Sequence, residues 1–272
     1  MSLLQAIILG IVQGATEFLP ISSSGHLVLV PWWLNWDIPA DLVFTVAVHL
    51  GTLVAVLVYF WRDWLRVLQG AWKIVTTRRI DDPDSRLFLF LIVGSIPVGI
   101  IGALFASEIE QAFQQPAAAA GFLLVTAALL VFSELRTNSQ AANRTLNDMS
   151  WLDAILVGVA QLLALFPGVS RSGSTIAAGL FRGITRPDAA RFSFLLSIPA
   201  IGGALVLQLL GGEAHGRSDL PLLIAAAVAA FAVGLVAIRL TALAVVQSHF
   251  WKFGFYCVVA GIAAFLIISQ GG

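Results

Sequence analysis

Charge is scarce in this chain: Asp, Glu, Lys and Arg supply 11% of its 272 residues, against about 25% in ordinary soluble domains. The 15 basic and 15 acidic residues cancel to a formal net charge of zero, so no polyanion such as nucleic acid is implied as a partner. No Lys or Arg precedes Arg62, which removes the basic start of a secretory signal, and the N-terminus is expected to be retained. The single cysteine, Cys257, excludes an intramolecular disulfide, and its apolar surroundings argue against a thiol or zinc site. What remains is apolar. Hydrophobic residues make up 59% of the chain, above the roughly 45–50% of soluble domains, and this composition describes an integral membrane protein.

Crossing a hydrocarbon core of about 30 Å takes about 20 apolar residues in a helix. Six stretches free of Asp, Glu, Lys and Arg meet that need: 42–61, 87–107, 111–133, 192–212, 220–238 and 253–272. Thirteen of the fifteen basic residues then fall on one side, in the segment Arg62 to Arg86, at Arg136 and Arg144, from Arg182 to Arg191, and at Arg239 and Lys252. Basic loops stay in the cytoplasm, so both termini are expected outside. Arg217 is assigned to the outer side, as is the loop 108–116 with Glu108 and Glu110; Arg171 lies within the membrane. Trp32, Trp33, Trp36, Trp61 and Trp64 border these stretches and are read as interfacial belts.

Two further apolar regions are interrupted by polar runs, and the runs are variants of one motif 148 residues apart. Gly10, Gln13, Phe18, Ser22, Ser24 and Gly25 align without a gap on Gly158, Gln161, Phe166, Ser170, Ser172 and Gly173. The first copy has Glu17 and His26 where the second has Leu165 and Ser174, and the second has Arg171 opposite Ser23. Irregular backbone at membrane depth survives only where protein or a water-filled cavity satisfies it, so each copy is expected to form a re-entrant hairpin of two half-helices. Three crossings between the hairpins invert one relative to the other. The expected fold is all-α: one membrane domain with six transmembrane helices and two re-entrant hairpins, an inverted repeat over about 1–147 and about 148–272. Ser95-Ile96-Pro97 recurs as Ser197-Ile198-Pro199 at a different offset, and is taken as two proline-kinked helices.

Ser caps helix starts, Gly admits close backbone approach, and the free N–H groups of a first turn attract anions. Arg171 adds a planar cation suited to phosphate oxygens. Ser and Gly at such junctions also serve packing, as Gly10-x-x-x-Gly14 and Gly179-x-x-x-Gly183 are expected to do. A charge at a helix centre, however, costs roughly 2.5–3.5 kcal/mol, which argues that Glu17 and Arg171 are there for function; His49 is equally compatible with a helix-to-helix hydrogen bond. Hydroxyl, imidazole, carboxylate and Arg together suit phosphoryl transfer. Ser23 would attack phosphorus, His26 would move the proton, and Arg171 would hold the growing charge. Ser22, Ser24, Ser170, Ser172, Gly173 and Thr175 would bind the substrate's oxygens. Gln13 and Glu17 share a helix face, where they either orient Ser23 and His26 or bind Mg²⁺ or Ca²⁺ through oxygen.

The run from Gln13 to His26 resembles the [E/Q]-x-x-x-E and Ser-rich signature of the bacterial undecaprenyl-diphosphate phosphatases, the bacitracin-resistance family. Pro167-Gly-Val-Ser170-Arg171-Ser-Gly-Ser-Thr175 resembles its second signature, P-G-x-S-R-S-G-x-T. The resemblance implies a hydrolase of the bacterial inner membrane that converts undecaprenyl diphosphate to undecaprenyl phosphate, recycling the lipid carrier of cell-wall synthesis. It further implies an assisting divalent cation, a periplasm-facing site, a homodimer, and roles for Gln13, Glu17, Ser23, His26, Ser170 and Arg171. Gln13 is the less acidic variant of its position. A polyprenyl-phosphate transporter or flippase is the rival reading, since inverted repeats also serve alternating access. The phosphatidic acid phosphatase pattern S-R-x₅-H fails, because Ala177 stands where its second His belongs.

Overall fold

The computed structural model describes residues 1–36, 42–138, 143–210 and 219–270. Arg217, assigned above to the outer side, lies outside the described residues. The described chain is helical: α1 (Leu3–Phe18), α2 (Ser23–Trp33), α3 (Leu42–Tyr59), α4 (Trp61–Thr77), α5 (Pro83–Leu104), α6 (Ala106–Phe113), α7 (Pro116–Asn138), α8 (Trp151–Gln161), α9 (Arg171–Phe181), α10 (Arg186–Leu210), α11 (Leu220–Val246) and α12 (Phe250–Gln270). Among them α5, α7, α10, α11 and α12 are long and apolar enough to cross a membrane. A sixth crossing is available if α3 and α4, bent by 84° at their junction, count as one span. The protein is thus an all-helical, multi-pass membrane protein.

Two expected boundaries change. The stretch 42–61 is not one straight span, because α3 stops at Tyr59 and the chain turns into α4. Along α4, Trp61, Leu65, Leu68, Trp72 and Val75 are exposed, while Val67 and Gly70 are buried against the start of α5. An apolar stripe at helical spacing beside Arg62, Arg66 and Lys73 is the pattern of a helix lying in the membrane surface. The expected loop around Glu108 and Glu110 is largely the helix α6. Of the five tryptophans, Trp61 is exposed, whereas Trp33, Trp36 and Trp64 pack against the core. Pro97 and Pro199 do lie inside α5 and α10.

The helix starts follow their local sequence. Asp82 caps α5 by accepting from the N–H groups of Asp84 and Ser85, with Pro83 in the first turn. The Ser85 hydroxyl, donated to the same carboxylate at 2.6 Å, is the main reason the Asp82 carboxyl is held down at about 2. Ser150 caps α8, where the fully buried Asp153 is neutralised by Arg144 at 2.5 Å and Arg182 at 2.6 Å. Arg186 likewise pairs with the buried Glu134 at 2.6 Å.

Close packing is set by glycine where the sequence predicted it. A Cβ on Gly10 would stand 2.3 Å from the Ala226 carbonyl oxygen of α11, and one on Gly14 2.5 Å from that of Ala230. On the other copy, a Cβ on Gly158 would stand 2.4 Å from the Gly94 carbonyl oxygen of α5. Gly179 packs on Ala189, but Gly183, expected to pack, instead takes a positive φ of 74° at the turn after α9. Gly14→Ala and Gly158→Ala are therefore expected to cost about 1–3 kcal/mol by pushing helices apart. The control is Gly99→Ala in α5, whose Cβ would meet nothing within 4 Å and which should be neutral or stabilising. Thermal unfolding in detergent reads the contrast, and equal Tm changes for the three would refute it.

Candidate active site

The carboxylate of Glu17 sits at the last turn of α1 with its side chain 7% exposed. An uncompensated carboxylate there would be costly, and three groups answer it. Gln13, one turn earlier on the same face, donates Nε2 to Oε2 at 3.1 Å. Ser23, the first residue of α2, donates its hydroxyl to the same oxygen at 2.5 Å. Arg171, the first residue of α9, donates Nη2 to Oε1 at 2.5 Å, with its own side chain 13% exposed. The sequence-predicted acid, hydroxyl and cation thus form one contiguous set, drawn from both motif copies.

The segments that bring them there repeat each other in detail. Ser22 accepts from the Gly25 N–H at 3.2 Å and meets the Ser24 hydroxyl at 3.1 Å. Ser170 accepts from the Gly173 N–H at 3.1 Å and meets the Ser172 hydroxyl at 3.2 Å. Both are N-caps, which satisfies first-turn donors that lipid could not. The tips touch through backbone: a Cβ on Gly25 would stand 2.9 Å from the Gly168 Cα. Gly168, at φ 100°, in turn packs against the Ala119 carbonyl of α7. Thr126 of α7 closes the second break, donating to the Gly168 carbonyl at 2.7 Å and accepting from the Ser170 N–H at 2.9 Å. At the first break, Thr241 of α11 donates to the Phe18 carbonyl at 3.1 Å and Ser172 to that of Leu19 at 3.3 Å. Ser22 holds a positive φ of 71°, a strain of about 1–3 kcal/mol for a non-glycine residue that surrounding bonds must sustain.

Not every predicted residue faces the carboxylate. Thr175 bonds to the Arg171 carbonyl at 2.8 Å and the Ser193 hydroxyl at 2.6 Å, both within the packed interior. His26 is buried, but its Nδ1 lies 2.7 Å from the Ser22 carbonyl and its Nε2 2.8 Å from the Tyr256 hydroxyl. The proton of Ser23 therefore points at Glu17, not at the imidazole. His49 on α3 donates Nδ1 to the Thr45 carbonyl of its own helix at 2.8 Å. Sequence reasoning missed Thr126 and Tyr256. Tyr256 had a signal, since it is one of only two tyrosines and its hydroxyl lies in an otherwise apolar run.

Two buried polar atoms at the site have no partner: Oε1 of Gln13 and Nη1 of Arg171. One is an acceptor and one a charged donor, as a cation and a phosphate oxygen would require. Among the described residues no group of three or more His, Cys, Asp or Glu is placed to hold a metal. The oxygen donors on hand are Glu17 and the free Oε1 of Gln13, which fits an ion such as Mg²⁺ that keeps waters and binds substrate phosphates. Arg171→Gln should leave Glu17 without its counter-charge and lower stability by about 3–5 kcal/mol. Adding Glu17→Gln should recover most of that loss in Tm, and a simple sum of the two single effects would contradict the pairing.

Comparison with known proteins places the chain in a family. The model of the family described as Bacitracin resistance protein BacA matches residues 6–263. The chain is 43% identical over 271 residues to the undecaprenyl-diphosphatase of Gemmatimonas aurantiaca, covering 99% of each sequence. It is 42% identical over 277 residues to that of Methanosphaera stadtmanae, covering 98% of each. With the undecaprenyl-diphosphatase of Geotalea daltonii it shares 41% identity over 275 residues, covering 100% of each.

Proposed function

The chain belongs to the BacA bacitracin-resistance family and is an undecaprenyl-diphosphatase, and from that premise we propose that the hydrolysis takes place at the Glu17, Ser23 and Arg171 cluster. The observation that carries this reading is the 2.5 Å bond from the Ser23 hydroxyl to a carboxylate that Arg171 holds from the other motif. Ser23 is half-buried, where the flanking Ser22, Gly25 and His26 are buried.

The chemistry follows from those contacts. Ser23 Oγ bonds to the terminal phosphorus of undecaprenyl diphosphate as its proton passes to Glu17, and the bridging P–O bond breaks to release undecaprenyl phosphate. Nη1 of Arg171 and the N–H groups opening α2 and α9 hold the charge on the non-bridging oxygens. Water then attacks the phosphoserine. The water's proton passes to solvent, and Ser23 recovers its own proton from Glu17 as inorganic phosphate leaves. Glu17 and Gln13 Oε1 would hold a divalent cation, which would supply neutralising charge to the diphosphate.

The architecture proposed with this chemistry is an inverted repeat, its two motif hairpins re-entrant and meeting near the midplane. It is supported by which helix packs on which. Gly10 and Gly158 are equivalent, and one seats α1 on α11 while the other seats α8 on α5. At 16 residues, α1 is about 24 Å long, short of a full crossing. We place the opening of the site on the periplasmic side, a reading supported by the lack of any Lys or Arg before Arg62. Arg66, Arg86 and Arg191 line one cavity of about 280 Å³ where α4, α5 and α10 begin, as cytoplasmic loops would.

Phosphate release from farnesyl or undecaprenyl diphosphate by the purified protein tests the site. Ser23→Ala, Glu17→Ala and Arg171→Ala should each lose at least about 100-fold in kcat, and full activity in Arg171→Ala would remove the two-motif site. Chelation should abolish release and Mg²⁺ restore it. Gln13→Leu should raise the Mg²⁺ concentration for half-maximal activity by about tenfold, and an unchanged requirement would exclude Gln13 as a ligand.

A further inference from the structure

The helical threonines divide by where their hydroxyls go. Thr16, Thr52, Thr76, Thr137 and Thr175 each donate to a carbonyl of their own helix, the ordinary recourse of a threonine inside a helix. Thr126 of α7 and Thr241 of α11 instead reach across to a motif break. Thr126 is the more fully used of the two. Its one proton goes to the Gly168 carbonyl at 2.7 Å and its oxygen accepts from the Ser170 N–H at 2.9 Å, with the side chain buried. A single hydroxyl thus stands between a carbonyl and an N–H two residues apart and holds both toward α7. The same face of α7 carries Ala119 and Leu123, against whose backbone Gly168 packs. Among the described residues the first break has no such clamp. There the chain closes on itself, the Ile21 N–H donating to the Leu19 carbonyl at 2.7 Å. The two caps make the same side-chain bonds yet differ in backbone, Ser22 at φ 71° and Ser170 at φ −78°.

We propose that Thr126 is a positioning residue for the phosphatase reaction: by holding Gly168 and Ser170 against α7 it fixes the cap of α9, and so directs Arg171, the next residue, to Glu17 and the phosphate oxygens. The backbone angles of a cap set how the helix behind it is aimed, and with it the side chain that opens the helix. Without the hydroxyl, the Gly168 carbonyl and the Ser170 N–H are left buried and unpaired, which is costly. The remedy open to them is a three-residue turn of the kind Leu19 and Ile21 make, and that closure would swing the cap and carry Arg171 off its target. The second motif does not supply this control itself, since the hydroxyl comes from α7, 44 residues before Ser170. The inference rests on the role given to Arg171 under the proposed function.

Phosphate release by the purified protein is compared for Thr126→Ser, which keeps the hydroxyl, Thr126→Cys, whose thiol is a weak donor and acceptor, and Thr126→Val, which removes both bonds. Thr137→Val, whose lost bond lies within α7, is the control, and every variant is assayed below its own Tm. Thr126→Val is expected to lower kcat by up to about 100-fold and Thr126→Cys to lower it less, while Thr126→Ser and Thr137→Val keep the wild-type value. Wild-type kcat in Thr126→Val, or an equal loss in Thr126→Ser, would overturn the role of the hydroxyl; should Thr126→Val not fold, wild-type kcat in Thr126→Cys does the same. A double variant separates positioning from general support. In Arg171→Ala no guanidinium is left to direct, so adding Thr126→Val should cost nothing further in kcat, and a loss there as large as in the wild-type background would overturn the proposal. Failure of the wider site reading looks different: Arg171→Ala then keeps its activity, whatever stands at Thr126.

Discussion

A carboxylate inside a membrane protein has to be neutralised by something equally well buried, and in this structure the answer to Glu17 is Arg171. The two residues are 154 positions apart, so satisfying one acid obliges α1 and α9 to converge. Everything else at the site follows from that convergence. Ser23 and Gln13 complete the shell of the carboxylate, the tips meet at Gly25 and Gly168, and the exposed backbone of each break is taken up by a hydroxyl from a neighbouring helix. The neutralisation is incomplete in an informative way. Oε1 of Gln13 and Nη1 of Arg171 are left over, and burying such atoms without a partner is tolerated where a ligand supplies one.

Precision in this arrangement comes from small residues. A buried ion pair between side chains on different helices requires those helices to lie close together. Gly10 and Gly14 set the depth at which α1 beds into α11, and Gly158 does the same for α8 on α5. Lipid offers no hydrophobic drive for helix association, so direct contact of backbones is the available means. Gly234 of α11 extends this into the site, since it leaves room for the ring of Phe18, the neighbour of Glu17.

Much of this was legible from composition and from the paired motifs. Long runs without charge located the crossing helices, since lipid permits no other composition. The two polar runs located the site because a charge such as Glu17 or Arg171 has no packing reason to lie among apolar neighbours. The helix α4 was invisible to the same reasoning: its charges hide an apolar stripe that appears only at helical spacing. The partner of Ser23 was left open, with Glu17 expected either to orient Ser23 or to bind a metal and His26 expected to move the proton. The sequence places His26 three residues away, but one turn of helix and the φ of Ser22 rotate the imidazole toward α12, and no spacing rule carries that information. Tyr256 could be singled out as a polar atom in an apolar run, yet not paired with His26.

The bedding of α1 into α11 also bears on how the protein is made. Residues 3–18 emerge before residues 220–246, which form their groove, and before residue 171, which supplies their counter-ion. During synthesis Glu17 has neither. Such long-range dependence slows assembly, and it means that α1, translated before its partners, is among the last helices to be locked in place. Assembly of this enzyme therefore closes late on α1, and a ribosome that stalls before α9 leaves behind an acid with nowhere to go.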